Sequence, residues 1–414
     1  MSFSQALSGL NAQSQKLGAI GNNIANSQTV GFKSSDVQFS DVFANSRIGL
    51  GTRVSSVLQN FNEGNIESTS RNLDLAIAGE GFFRFQQPNG EVVYSRNGQL
   101  TMTADGALIN AQGAQIMGYG LNAQGEVQVG GQPQALTIPS DELAANTTTR
   151  VSTTLNLDSR YVVGEELSQT EAVDADGDPI YIDYHYSNNF TVFDSLGNPR
   201  NVTVYYEKTG SNAWTAKMTM DGQALMEGGD ARAFDLAFDA NGQMESVDDG
   251  LTGITFDAAE FFNGEPNDLI FDLNLDGTTQ FGNSSTASGL TQNGYTSGSL
   301  VGITIEDDGT IMRNYSNEQS RPAGQVALVS FRNPEGLNPI GDNVWSATNA
   351  SGQELVGSPG TGLLGGVVSG AVETSNVDMA RELVSMIVAQ RAYQANSQTI
   401  KTQDELLQTA INLR

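Results

Sequence analysis

The stretch SNVDMARELVSMIVAQRAYQANSQTIKTQDELLQTAINL (375–413) decides the architecture of this chain. Met379, Leu383, Met386, Tyr393, Ile400, Leu407 and Ile411 keep a 4-3 spacing, with Gln390, Ser397 and Asp404 at the intervening positions. That is the rhythm of a helix packing along one seam. Ser375 is placed to cap it, with Asp378 three residues on. A helix over 376–411 is about 50 Å long, too long to hide in one globular core. The same rhythm returns at the other end, where Phe3, Leu7, Leu10, Leu17 and Ile24 share a face interrupted by Ser14 and Gly21, and Gly31 is the expected stop. The neighbouring Asn11, Gln13, Gln15, Asn22 and Asn23 form helices poorly, so this segment is marginal without a partner. The C-terminal seam is the nearest candidate, and the twelve apolar residues together form a candidate self-assembly seam. The word ANSQT stands on both segments, at 25–29 and 395–399. It is expected at the end of the first helix and midway along the second, where small polar residues suit crowded contacts.

Between the ends the period drops to two. VVYSRNGQLTMTADGALINAQGAQIMGYG (92–120) reads as short strands broken at Asn97-Gly98, Asp105-Gly106 and Gln112-Gly113. NVTVYYE (201–207) and DLIFDLNLDG (268–277) alternate as well, with Leu269, Phe271, Leu273 and Leu275 on one buried face. The fold class is therefore mainly β with terminal α-helices, in nested, discontinuous domains. Residues 1–31 and 373–414 form a coiled-coil-like inner domain; 32–70 and 353–372 are connectors; 71–145 with 286–352, and 146–285, are two antiparallel β-domains outside it.

Charge follows the same division. The formal net charge of the 414 residues is −27, and 146–285 alone hold 24 acidic against 6 basic side chains. Residues 1–30 carry Lys16 and no acid. An acidic chain without a basic stripe repels phosphate backbones, which argues against nucleic-acid partners. No apolar run is long enough to span a membrane, and no basic-then-apolar leader opens the chain. With no cysteine there is no disulfide, thiolate nucleophile or thiolate metal site.

Candidate chemistry is thin. Gly79-Glu80-Gly81 begins a dinucleotide fingerprint, but Arg84 stands where the third glycine belongs and no crossover helix follows, so it reads as a turn. Asp174, Asp176 and Asp178 begin like a calcium loop, yet Pro179 and His185 replace the required glycine and glutamate, which leaves an acidic turn. His185, the single histidine, lies between two tyrosines and is expected at the surface. No catalytic, cofactor or metal residues are assigned, and no cofactor is expected.

NNIANSQTVGFK (22–33) and ELVSMIVAQRAYQANSQTIKTQDELLQTAINL (382–413) resemble the terminal signatures of the bacterial flagellar axial family, its rod, hook and hook-associated subunits. LDLAIAGEGFFRF, YSRNGQLTMTADG and SGAVETSNVDMARELV are similar to the family in the same order. Residues 146–285 look like the domain added in hook subunits, which distal-rod subunits lack, and NPEGLNPIGDNVWSATNASG (333–352) is similar to the segment closing their inner β-domain. The resemblance implies an extracellular homopolymer, a curved tube acting as a universal joint with the terminal helices inside. The implied partners are the distal rod, hook cap, hook-filament junction proteins and the type III export apparatus. Phe39 and Phe43 resemble an export-gate recognition element. Gly357, Gly360, Gly362, Gly365 and Gly366 are expected to supply compliance. A distal-rod subunit, or a secreted β-rich carbohydrate-binding or hydrolytic protein, is the alternative.

Overall fold

The computed structural model describes residues 3–42, 49–247, 249–262 and 264–412. Two compact units emerge, one of Met1–Ser140, Val301–Asn314 and Ser320–Arg414, the other of Asp141–Leu300 and Tyr315–Gln319.

The first unit opens with helix α1 (Phe3–Ala25) and ends with helix α2 (Met379–Asn412), the latter about 51 Å long for its 34 residues. α1 stops well before Gly31. Residues 26–29 form turns instead, with the Ser27 N–H donating to Ile24 O and the Thr29 N–H to Asn26 O. Only Ala25 of the first ANSQT is therefore helical, whereas the second copy lies wholly inside α2. Gly31 has a different duty: its φ is +70°, and a Cβ there would stand 2.8 Å from the backbone nitrogen of Asn97. The cap of α2 also differs from expectation. Residues 375–377 lie before the helix, so the capping falls to Asp378, whose Oδ1 accepts from the N–H groups of Ala380 and Arg381.

Neither connector is a free linker. After α1 the chain forms an antiparallel hairpin, β1 (Ser35–Val42) and β2 (Gly51–Gln59), packed on α1 with the Ser8 hydroxyl accepting from the Thr52 N–H. β3 (Ile66–Ser68) pairs with Ala371–Glu373, β4 (Asp74–Ala78) with Gly366–Ser369, and Leu355–Gly357 with Leu328–Ser330. The glycine-rich stretch is thus paired into sheets at 355–357 and 366–369, with 358–365 a loop between them. At Gly365 a Cβ would lie only 2.2 Å from Ala78 O, so that glycine permits close approach of two segments, whereas Gly360 and Gly362 stand in open space.

The main sheet of this unit is built on β5 (Phe82–Gln86) and β6 (Val92–Ser95), flanked by Gln115–Tyr119 and Val344–Ser346. Ile77, Phe83, Phe85, Val93, Ile116 and Leu328 fill its core, and beside it Phe61, Phe82, Tyr94, Phe331 and Trp345 meet edge to face. Gly98 is not the tip of a hairpin; it is extended and pairs with Leu75.

In the second unit a sheet through Ala213–Met220 and Pro199–Gly210 shares one core with a four-stranded sheet through Arg150–Asn156 and Leu269–Asn274. Leu269, Phe271, Leu273 and Leu275 are all buried, as the alternation requires. Two expectations fail. Arg150–Ser152 run parallel to Asp272–Asn274, so this unit is mixed, not antiparallel. Thr286–Gln292 pair with Arg150–Asn156, so residues from 286 to 300 belong to this unit and not to the inner one.

One turn recurs in both units. Asn110, Asn122, Asp174, Asp194 and Asp239 each accept, through the side chain, the N–H groups two and four residues on, and a glycine at positive φ closes the turn three residues after each. The Asp174 cluster is one of these turns. His185 is buried, contrary to expectation: its Nδ1 accepts from the Lys208 N–H, its Nε2 lies 3.1 Å from Glu165 O, and its ring contacts Tyr161 and Trp214.

Glu354 ties the glycine-rich stretch to the main sheet, accepting from Arg84 Nε and Nη2 at 3.0 Å each and from the Tyr94 hydroxyl at 2.7 Å. Burial alone would raise its pKa; the hydrogen bonds from Arg84 and Tyr94 outweigh that and hold it below the ordinary glutamate value. A depressed folded value stabilises the fold above the ordinary glutamate range and is lost as pH falls through the folded value. Wild type should therefore melt above Glu354→Gln at pH 7, and thermal scans from pH 7 to pH 3 should show the gap closing. A gap independent of pH would contradict this assignment.

Candidate self-assembly interface

Two contacts fix how the terminal helices meet. Gly9 faces Asn396, and Asn23 Nδ2 donates to Glu382 Oε1 at 3.2 Å. Fourteen residues forward on α1 correspond to fourteen backward on α2, so the helices are antiparallel and in heptad register. The shared face follows this register: Ala6, Gly9, Gln13, Lys16, Ile20 and Asn23 on α1, and Glu382, Ser385, Ala389, Ala392, Asn396, Thr399 and Gln403 on α2, are all buried or half-buried. Apart from Ile20 these are small or polar residues, which let two helices approach closely while burying little apolar area.

The expected seam lies one residue later in both helices, a rotation of about 100°. Leu10, Leu17, Ile24, Met386 and Ile400 are half-buried, while Phe3, Leu7, Met379, Leu383, Tyr393, Leu407 and Ile411 are exposed. The seam residues therefore do not pair α1 with α2 in the way the heptads suggested. Beyond them, Val384, Ile387 and Val388 are 62%, 51% and 61% exposed beside Leu383 at 46%. This patch falls outside the narrow 4-3 stripe that heptad spacing picks out. The signal was LVSMIV (383–388), five apolar residues in six, more than one seam can absorb.

A polar knot fastens the helices to the β-structure of this unit. Lys33 and Glu373 are fully buried, 2.6 Å apart from Nζ to Oε1, and Arg96 Nη1 stands 3.3 Å from Oε2. Burial draws Lys33 and Arg96 below their ordinary pKa values, and the Glu373 carboxylate opposes it. Asn376 accepts from the Ser34 N–H and donates to Asn60 O and Asn62 O, and Asn23 both donates to and accepts from the Ser35 backbone. Asn23, Gly31 and Lys33 of NNIANSQTVGFK thus serve this knot, Gly31 through its N–H to Glu373 O. Phe39 is exposed in β1, with Lys16 Nζ 5.9 Å from its ring centre; Phe43 lies outside the described residues. Among the described residues no three His, Asp or Glu side chains gather as a metal site, and no helix is long and apolar enough to cross a membrane.

Family models match in chain order. The flagella basal body rod protein model covers 4–33, the flagellar hook protein FlgE/F/G D1 domain 76–154, the flagellar basal body protein FlaE D2 domain 156–295, and the flagellar basal body rod FlgEFG protein C-terminal model 368–413. The chain is 44% identical over 418 residues to the flagellar hook protein FlgE of Escherichia coli K12, with 100% of both chains covered. The chain belongs to the flagellar hook protein family. The hook protein of Salmonella typhimurium LT2 is 43% identical over 415 residues, again across 100% of both, and that of Rhizobium meliloti is 33% identical over 431 residues, covering 99% of this chain and 97% of that one. The crystal structure of Helicobacter pylori flagellar hook protein FlgE2 shares the fold, with a TM-score of 0.54 at 15% identity, over 74% of this chain and 100% of that one. This hook protein is a structural, self-assembling component of the extracellular flagellum.

The two faces of α2 predict opposite behaviour in the isolated subunit. Ala389→Leu forces a large side chain into the helix contact and should cost about 1–3 kcal/mol, lowering helicity and the denaturation midpoint by circular dichroism. Val388→Ser, on the outward side, should leave both unchanged. The reverse ranking would show that the register is wrong.

Proposed function

We propose that the hook subunit polymerises through the outward apolar residues of its terminal helices into a curved tube that transmits torque as a universal joint. The observation that carries this reading is the exposed quartet Leu383, Val384, Ile387 and Val388 on a helix whose other face is already occupied. Roughly half of the 1.5–3 kcal/mol available from burying each such side chain remains to be gained, and neighbouring copies are the natural source of that burial in a self-assembling family. The twelve seam residues contribute to the same contacts between copies.

The second unit carries 27 acidic and 6 basic side chains, so copies repel one another through it. That favours wet, polar outer contacts able to slide while the helices hold register. Compliance then lies between copies and in the 358–365 loop, where Gly360 and Gly362 stand in open space, while the strands on either side are laddered into sheets. The distal rod, hook cap and hook-filament junction proteins are the proposed neighbours at the ends of the tube. Passage through the type III export apparatus is supported by the marginal α1 and the absence of cysteine, with Phe39 and Phe43 as the proposed recognition element.

Serine and the β-branched residues have similar helix propensities, so Val384→Ser/Ile387→Ser/Val388→Ser should keep the helicity and melting of the isolated subunit. Losing about 1 kcal/mol at each position should raise the critical concentration for tubes about a hundredfold, read by sedimentation and negative-stain imaging at fixed salt. Wild type should assemble more readily as salt screens the acidic units. Tubes forming at the wild-type concentration from the triple variant would sink the proposal.

A further inference from the structure

Glu373 has partners drawn from the whole length of the chain. Its Oε1 accepts from Lys33 Nζ, 340 positions away, at 2.6 Å, and from the Gly64 N–H, 309 positions away, at 2.8 Å; its Oε2 accepts from Arg96, 277 positions away, at 3.3 Å. Its carbonyl accepts from the Gly31 N–H. Lys33 donates its other bond to Asn62 O, and Arg96 donates to Ile77 O and Gly79 O, so Glu373 is the carboxylate that directly pairs both cations. All three charged side chains are shielded from solvent.

We infer that Glu373 is a completion latch: one buried carboxylate that holds the end of the N-terminal signature, the 60–65 loop and the start of the C-terminal segment in place together or not at all. The reason is the asymmetry of buried charge. A closed cluster is compensated, but a cluster missing one member leaves an ion without water and without its partner, which is far more costly than never burying the group. Without Glu373, Lys33 and Arg96 repel each other and lose the carboxylate that hydrogen-bonds both, keeping only the longer-range attraction of Glu63 and, for Arg96, Glu80. Lys33 then has reason to leave for water, taking with it the backbone that carries Gly31 and Ser34, and Asn376 loses the strand it bridges to Asn60 and Asn62. The three segments are distant in sequence but share one electrostatic condition. Because the apolar patch of α2 begins only ten residues beyond Glu373, the latch makes display of the assembly face conditional on a chain complete at both ends. This last step rests on the assembly role proposed above; the latch itself does not.

Hydrogen exchange read by mass spectrometry on the full chain separates the two. In Glu373→Gln, amides of 22–35, 60–65 and 374–382 should all exchange at least tenfold faster, while those of Phe82–Gln86 and Gln115–Tyr119 keep their protection. Lys33→Met, which retains the Arg96 pair, should loosen the same three segments to a smaller extent, and it decides by the same criterion if Glu373→Gln also opens the inner sheet. Faster exchange confined to 371–375, or any one of the three segments keeping its wild-type rate while the others open, overturns the latch. Tubes sedimenting at the wild-type concentration from a variant whose three segments have opened would overturn the link to assembly and leave the latch standing.

Discussion

The antiparallel contact of α1 with α2 runs along Gly9, Asn23, Glu382, Ala389 and Asn396. Residues of this size bring helix backbones close but remove little apolar surface from water, so the contact sets register more than it supplies stability. The larger apolar side chains stand one step round each helix and beyond, where Leu10, Leu17, Ile24, Met386 and Ile400 are half-buried and Leu383, Val384, Ile387 and Val388 are exposed. An ordinary amphipathic helix uses its apolar stripe to join its own core. Here much of that surface stays exposed, above all Leu383, Val384, Ile387 and Val388 of α2, and the structure of the single chain acquires a direction in which it is incomplete.

The polar knot makes this arrangement workable. Helices held to each other by small residues need another anchor, and Lys33, Arg96, Glu373, Asn23 and Asn376 provide it with charge and hydrogen bonds instead of apolar burial. The apolar surface of the terminal segments is thereby left free. The second unit differs, with Tyr206, Trp214, Phe234, Phe256 and Phe271 gathered in one core of its own.

Much of this was legible in the residues. Period-two alternation placed Leu269, Phe271, Leu273 and Leu275 on a buried face, and the length of the apolar 4-3 pattern announced a helix too long for a core. The errors have specific causes. Heptad reading follows large apolar residues, and so chose Leu383 and Met386 over Ala389 and Asn396, although the close contact needs small ones. Gly31 and Gly365 look like a helix stop and a flexible link, because a sequence does not show which backbone passes 2–3 Å from an absent Cβ. His185, between two tyrosines in an alternating strand, gave no sign of the Lys208 amide that draws it inside. The partners of Glu373 lie hundreds of positions away, and no local pattern marks such a group.

The central claim is that the outward apolar residues of the terminal helices are completed by other copies of the chain. A density map of the assembled tube, resolved well enough to place side chains, tests it most directly. The account predicts Leu383, Val384, Ile387 and Val388 buried against neighbouring subunits, with Gly9 still facing Asn396 within each subunit. Finding the quartet facing the water-filled channel, with the neighbours meeting only through the β-units, would contradict it.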